Sequence, residues 1–137
     1  MTTQVSRVQY FYCSVRDRPG EAYGLLSRLA ASGVNLLAFH AIPMGNEQTQ
    51  LVLFPEDPQS LARVAEEEGL QLDGPQYAIL MRGDDELGAL AEIHRKLADA
   101  KVNVSASSGI TDEEGRYGYV VYLAADDFSR ATAALGV

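Results

Sequence analysis

Cysteine is nearly missing from this chain: of 137 residues only Cys13 carries a thiol, so no intrachain disulfide forms. Histidine is as scarce. His40 and His94 with one cysteine fall short of the usual zinc site. Cations are outnumbered, 11 Lys and Arg against 19 Asp and Glu, for a formal charge of −8. Recognition of nucleic acid through its phosphates would work against that field, and the sequence shows no local basic patch. Long apolar runs are absent too, none approaching the roughly 18 residues of a membrane-spanning helix. The N-terminus, MTTQVSRVQYFY, lacks a basic region followed by an apolar block and a cleavage site. The chain is therefore expected to be cytoplasmic, with neither nucleic acid nor membrane as a partner. What is there is an ordinary globular composition, 47% hydrophobic and 22% charged, enough for one domain or two very small ones. Small-molecule binding, protein contacts or carboxylate chemistry remain.

The chain resembles itself. A shift of 68 residues superposes Asp17 on Asp85, Gly20 on Gly88, Leu29 on Leu97, Ala30 on Ala98, Val34 on Val102, Asn35 on Asn103, Ala38 on Ala106, Ile42 on Ile110 and Val52 on Val120. Over roughly 45 aligned positions chance gives about three such identities, so a duplicated unit is the reading.

Within each half the periodicity runs in the same order. Residues 8–15 and 76–82 are β-branched, aromatic and aliphatic runs, closed by the clusters DRPG and GDDELG. Ala22, Leu25, Leu26 and Leu29 then recur at helical spacing, as do Leu90, Ile93, Leu97 and Ala98. With Pro19 in the first turn and Gly33 as a stop, helices are predicted over 20–32 and 87–101. Second strands over 34–43 and 102–110, turns at GNEQ and TDEEG, and third strands over 50–54 and 117–123 read as two hairpins. Asp57 and Pro58 open a second helix to Gly69, and Asp126 opens its equivalent. Residues 70–72 are predicted as a fourth strand, with Gly74-Pro75 turning the chain into its second half. The order is β-α-β-β-α-β, twice, with modules over 1–73 and 74–137. No last strand is predicted in the second, which leaves an edge to be filled by the first half, by residues 2–7 or by another subunit.

The segment best suited to chemistry is Asp17, Arg18, Pro19 and Gly20, between a strand and the helix it feeds, with Asn35 fifteen residues beyond Gly20. Asp85, Glu86, Leu87, Gly88 and Asn103 repeat it at the same spacing. A helix N-terminus offers backbone N–H groups and a positive dipole end to an anion, and glycine admits a ligand close to the backbone. An aspartate holds an ammonium group, and an asparagine both donates and accepts. Together these complement a free α-amino acid.

At these residues the chain resembles the ACT domain, a ferredoxin-like module that regulates amino-acid metabolism. D-R-P-G at 17–20 and G-V-N-L at 33–36 carry the resemblance, echoed by D-E-L-G at 85–88 and K-V-N-V at 101–104. The resemblance spans nearly the whole chain as two tandem modules, and the chain looks most like small free-standing tandem ACT proteins that carry no catalytic domain. The resemblance implies an α+β fold of two ferredoxin-like modules, each an antiparallel sheet with helices on one face. It implies a non-catalytic regulator without cofactor or metal, a homodimer, and a possible regulated enzyme partner. It also implies a ligand held between modules: one site combining Asp17, Arg18, Pro19 and Gly20 with Asn103, the other Asp85, Glu86, Leu87 and Gly88 with Asn35. The second loop lacks the proline and carries Asp84, Asp85 and Glu86, which repel a ligand carboxylate, so the first site is the expected one. Tyr23, Phe39 and His40 are candidates for ligand specificity.

Plainer readings stand beside these. Asp17 and Asp85 serve as helix caps, Cys13 as a buried thiol, and Glu66, Glu67 and Glu68 as a solvated run. Tyr117 and Tyr119 share a strand face. Two other functions fit the same sequence: an interaction subunit that has lost ligand binding, and a metal-dependent enzyme of the vicinal-oxygen-chelate type. The enzyme needs His and Glu ligands on strands of both halves, and only His40 lies on a predicted strand.

Overall fold

The computed structural model describes residues 3–137 and contains six strands and four α-helices, an α+β chain. It divides into two compact units, one of Gln9–Gln76 and one of residues 3–8 with Tyr77–Val137.

In the Gln9–Gln76 unit, β1 (Gln4–Arg16) enters α1 (Glu21–Ala31), followed by β2 (Leu36–Gly45), β3 (Gln48–Pro55) and α2 (Pro58–Glu68). The strands lie in the order β2-β3-β1. β3 pairs antiparallel with both neighbours, Leu53 opposite Phe11 on one side and Phe39 on the other. A two-residue loop, Asn46 (φ 55°) and Glu47 (φ 60°), joins β2 to β3 with both residues left-handed, the turn whose twist matches paired strands. Alternation places Phe11, Cys13, Leu51 and Leu53 on one face, where Leu25 and Leu29 of α1 and Leu61 and Val64 of α2 close a core. On the other face Tyr10 packs on Phe54 at 5.0 Å and edge-on to Tyr12 at 5.4 Å.

In the other unit, β4 (Asp73–Asp84) enters α3 (Ala89–Asp99), then β5 (Val104–Thr111), β6 (Arg116–Leu123), a 3-10 turn (Ala125–Asp127) and α4 (Phe128–Leu135). The order is β1-β4-β6-β5, with β6 antiparallel to β4 and β5. Ile79 and Met81 of β4 and Tyr117, Tyr119 and Val121 of β6 meet Ile93 and Leu97 of α3 and Ala131 of α4. Both helices of each unit thus cover a single sheet face.

The fourth strands differ from expectation. Residues 70–72 form no strand: Gly69 (φ 70°) turns the chain, the Leu70 N–H donates to the Ala65 carbonyl at 2.9 Å, and Leu70 and Leu72 pack on the core as coil. Their alternation serves burial without a ladder. Gly74-Pro75 is not a turn but the start of β4, where Gly74 lies against the Tyr10 carbonyl and the Phe11 ring and a Cβ would approach them to 3.0 and 3.1 Å. The open edge of the Tyr77–Val137 unit is filled by the beginning of β1, where Thr3 lies beside Gly83 and Val5 packs on that unit's core. Arg7 donates to the Val137 carbonyl at 2.9 Å and ties this strand to the last helix. Of the predicted residues 2–7, Thr2 lies outside the described residues.

Helix ends are corrected in three places. Pro19 lies outside α1, whose N-cap is Gly20, and α3 begins at Ala89 after Gly88. Asp126 belongs to the 3-10 turn, and α4 starts after Asp127, which pairs with Arg130. Asp57 caps α2 as predicted, its Oδ1 accepting from the Gln59 N–H at 3.1 Å. No helix among the described residues is long and apolar enough to cross a membrane.

Candidate functional site

Each strand-to-helix loop is held by the same three backbone hydrogen bonds. Asp17 N–H donates to Glu47 at 2.8 Å, Glu21 N–H to Arg18 at 3.3 Å and Gly24 N–H to Gly20 at 2.9 Å. Sixty-eight residues on, Asp85 donates to Gly115 at 2.7 Å, Ala89 to Glu86 at 3.1 Å and Glu92 to Gly88 at 3.0 Å. Gly20 (φ 90°) and Gly88 (φ 84°) hold the left-handed bend that turns strand into helix, a conformation costly for any residue with a Cβ. Leu87 in place of Pro19 leaves this frame intact. Neither helix has a side-chain cap, so Asp17 and Asp85 are not the caps of the plainer reading. Residues 17–20 and 85–88 are all exposed.

Both loops border concavities. A cavity of about 770 Å³ opens beside residues 85–88, walled by Leu90 and Ala91 of α3, by Gly109 and Thr111 of β5 and by Tyr117. Leu87 is fully exposed at its mouth. Asp84 stands opposite Arg116 in the β4–β6 register, a cation facing one of the three carboxylates of this loop. Beside residues 17 and 18 a smaller cavity of about 440 Å³ is lined by Arg16, Asp17, Arg18 and the hairpin turn at Asn46 and Glu47. Ile110 lines the same cavity, and Leu90, Ile110 and Tyr117 were read from the sequence as helix, repeat and strand positions, not as site residues.

The two asparagines differ. Asn35 Nδ2 donates to Glu56 Oε2 at 3.0 Å, and the Glu56 N–H donates to the Asn35 carbonyl at 2.8 Å. At the position equivalent to Glu56 the second half has Ala124, and Asn103 is exposed without that partner. Asn35 and Asn103 follow α1 and α3, whose 11 residues span about 16 Å, while the loops precede them. Within one unit, loop and asparagine therefore stand at opposite helix ends and do not meet on one small ligand.

Of the specificity candidates, Tyr23 is 76% exposed on α1, and Phe39 pairs with Leu53 on the helix-covered face of the sheet. His40 pairs with Val52 on the opposite face. His94 Nε2 lies 2.6 Å from Tyr119 Oη, a contact between α3 and β6. Glu68 is not merely solvated: it accepts from Arg28 at 3.2 Å and from Ser32 at 3.1 Å, joining α2 to α1. Burial pushes the Cys13 thiol above its ordinary pKa, and Arg28 opposes the shift. Among the described residues no cluster of three His, Cys, Asp or Glu is arranged to hold a metal ion.

No protein-family model matches the chain, and no curated protein matches it. Solved structures do. Protein BT0572 from Bacteroides thetaiotaomicron aligns with a TM-score of 0.80 at 13% identity, over 96% of this chain and 88% of that one. The ligand-free regulatory subunit of aspartate kinase from Thermus thermophilus aligns at 0.65 and 16% identity, over 98% and 94%. The aspartokinase alpha and beta subunits align at 0.64 and 18%, over 98% and 95%. At these identities the likeness is one of fold: the chain has the architecture of aspartate kinase regulatory subunits, in keeping with the ACT-like expectation.

Proposed function

We propose that this chain is a non-catalytic regulator that binds a free amino acid at its strand-to-helix loops and passes the signal to a regulated enzyme. The observation that carries the reading is the duplicated loop frame, three hydrogen bonds repeated at a shift of 68 around Gly20 and Gly88. Each frame offers a left-handed glycine, a helix N-terminus without a side-chain cap and an exposed aspartate, which suit a carboxylate and an ammonium group on one small molecule. The likeness to regulatory subunits of aspartate kinase supports the same reading by fold.

In this proposal Asp17, Arg18, Pro19 and Gly20 act with Asn103, and Asp85, Glu86, Leu87 and Gly88 form the second site with Asn35. Asn103 is the freer asparagine, which favours the first. The 1–73 and 74–137 halves serve as tandem modules of a cytoplasmic homodimer, and a ligand bridging modules favours one arrangement over another.

A thermal-shift screen of the twenty amino acids, followed by calorimetry, tests this. A ligand at a hundredfold its Kd adds about 2.7 kcal/mol, several degrees for a chain of this size. A selective shift lost in Asn103→Ala is the expected result. No shift with any amino acid refutes the sensor and leaves the interaction subunit, whose mark is a stable protein complex without ligand.

A further inference from the structure

The two strand-to-helix loops share a backbone frame and reverse their charge. At the shift of 68, Arg16, Asp17 and Arg18 stand where the other half has Asp84, Asp85 and Glu86. The central aspartate is common to both, and its two neighbours change sign. In the strand register Asp84 faces a cation, Arg116, whereas Arg16 faces the uncharged amide of Gln48. Among the described residues Arg28, Arg95 and Arg130 each hold a carboxylate, while Arg16 and Arg18 hold none.

The walls differ as well. The cavity of about 770 Å³ beside residues 85–88 has Leu87, Leu90, Ala91 and Ile110 in its lining. The cavity of about 440 Å³ beside residues 17 and 18 is lined by Arg16, Asp17, Arg18, Asn46, Glu47 and Gln48, and so by no apolar residue. An aliphatic or aromatic ligand side chain gains no apolar burial against such a wall, whereas a charged one finds charge-assisted partners. Two guanidiniums match two carboxylates, each through the planar fork that arginine offers. Asp17 and Glu47 supply carboxylates for one ammonium group. Two anions and one ammonium on a small molecule describe an α-amino acid whose side chain ends in a second carboxylate.

We infer that the first loop selects a dicarboxylic α-amino acid, with Arg16 and Arg18 as the residues that determine this specificity, and that the acidic second loop does not take the same ligand. The inference rests on the amino-acid reading above and names the ligand class of its first site.

Isothermal titration calorimetry of the full chain tests it, with L-aspartate and L-glutamate set against L-asparagine, L-glutamine and succinate. The amides keep the size of the acids and remove one charge; succinate keeps both carboxylates and removes the ammonium group. The expected result is one molecule of an acidic amino acid bound per chain, at least about tenfold more tightly than its amide and than succinate. That comparison needs no substitution. Arg16→Gln and Arg18→Gln are each expected to weaken the binding by at least about tenfold and to shrink the preference over the amide. Arg63→Gln, which removes an exposed cation from α2, is expected to change neither. Both loop positions are exposed, so the fold is expected to survive, which circular dichroism checks. A neutral or basic amino acid bound more tightly than the acidic pair, succinate bound as tightly as they are, two equal sites per chain, or a preference indifferent to both loop variants overturns the inference and leaves the sensor standing. Binding of none of the twenty amino acids refutes the sensor itself, and the inference with it.

Discussion

The Asp17 N–H donates to the Glu47 carbonyl at 2.8 Å, and this bond ties the strand-to-helix loop to the hairpin turn between β2 and β3. Its equivalent, Asp85 to Gly115 at 2.7 Å, does so with a different hairpin, four residues long and folded on Asp112. Asp112 Oδ1 accepts from the Glu114 and Arg116 N–H groups at 2.8 and 3.0 Å. Two unlike turns thus present their carbonyls at the same place, and the loop conformation follows from them and from the glycine.

That conformation is costly for other residues. Gly20→Ala and Gly88→Ala place a Cβ in open space, with no atom within 4 Å, so the cost is backbone strain alone. Each is expected to lower stability by about 1 to 2 kcal/mol, read as a lower urea midpoint at unchanged slope.

Because neither α1 nor α3 has a side-chain cap, Asp17→Ala is expected to leave the unfolding free energy within about 0.5 kcal/mol of wild type. Amino-acid affinity is expected to fall in the same variant, as the ammonium group loses its partner. Asp57→Ala is the control: it removes the cap of α2, costs about 1 kcal/mol and leaves affinity unchanged. Calorimetry beside denaturation separates the two effects.

The elements that bury a periodic face were legible in sequence. Leu25 and Leu29 or Ile93 and Leu97 demand a helix, and the runs of β1, β3 and β6 demand strands, because period and burial coincide there. The fourth strands were not legible. Asp73–Gln76 is exposed throughout and has no alternation to read, and the start of β1 has Val5 as its one apolar residue before Val8. At the candidate site the glycine-bearing loops announced themselves twice. The difference between the asparagines did not, since it depends on Glu56, twenty-one residues from Asn35 and replaced by Ala124 in the other half.

The part-buried contact between His94 and Tyr119 takes the place of two leucines, Leu26 and Leu51, in the other half. Tyr119 Oη and His94 Nε2 stand 2.6 Å apart, and the ring lies against Gly109, where a Cβ would come within 2.9 Å. Tyr119→Phe keeps the packing and leaves the histidine nitrogen unpartnered, so a loss of about 1 kcal/mol is expected. Gly109→Ala displaces the ring and is expected to cost about 1 to 3 kcal/mol. Thermal melts of both variants check the order.

Cys13 supplies a pH test. Its thiol is 8% exposed, packed among Leu25, Leu29 and Leu51, and burial raises its pKa above the ordinary 9.0. The native state therefore holds the proton more tightly than the unfolded chain does. The resulting stabilisation is complete below the unfolded thiol's pKa and is lost as pH rises through the folded value. Cys13→Ala creates a small cavity and removes the titration, so the advantage of wild type over the variant is expected to be largest near neutral pH. It should shrink steadily once the pH passes about 9.0. Urea denaturation of both proteins across that range measures the difference, and a constant gap refutes the buried-thiol account. The same burial predicts slow reaction of native Cys13 with a disulfide reagent at neutral pH and rapid reaction in denaturant, because the thiolate is the nucleophile and the folded chain suppresses it.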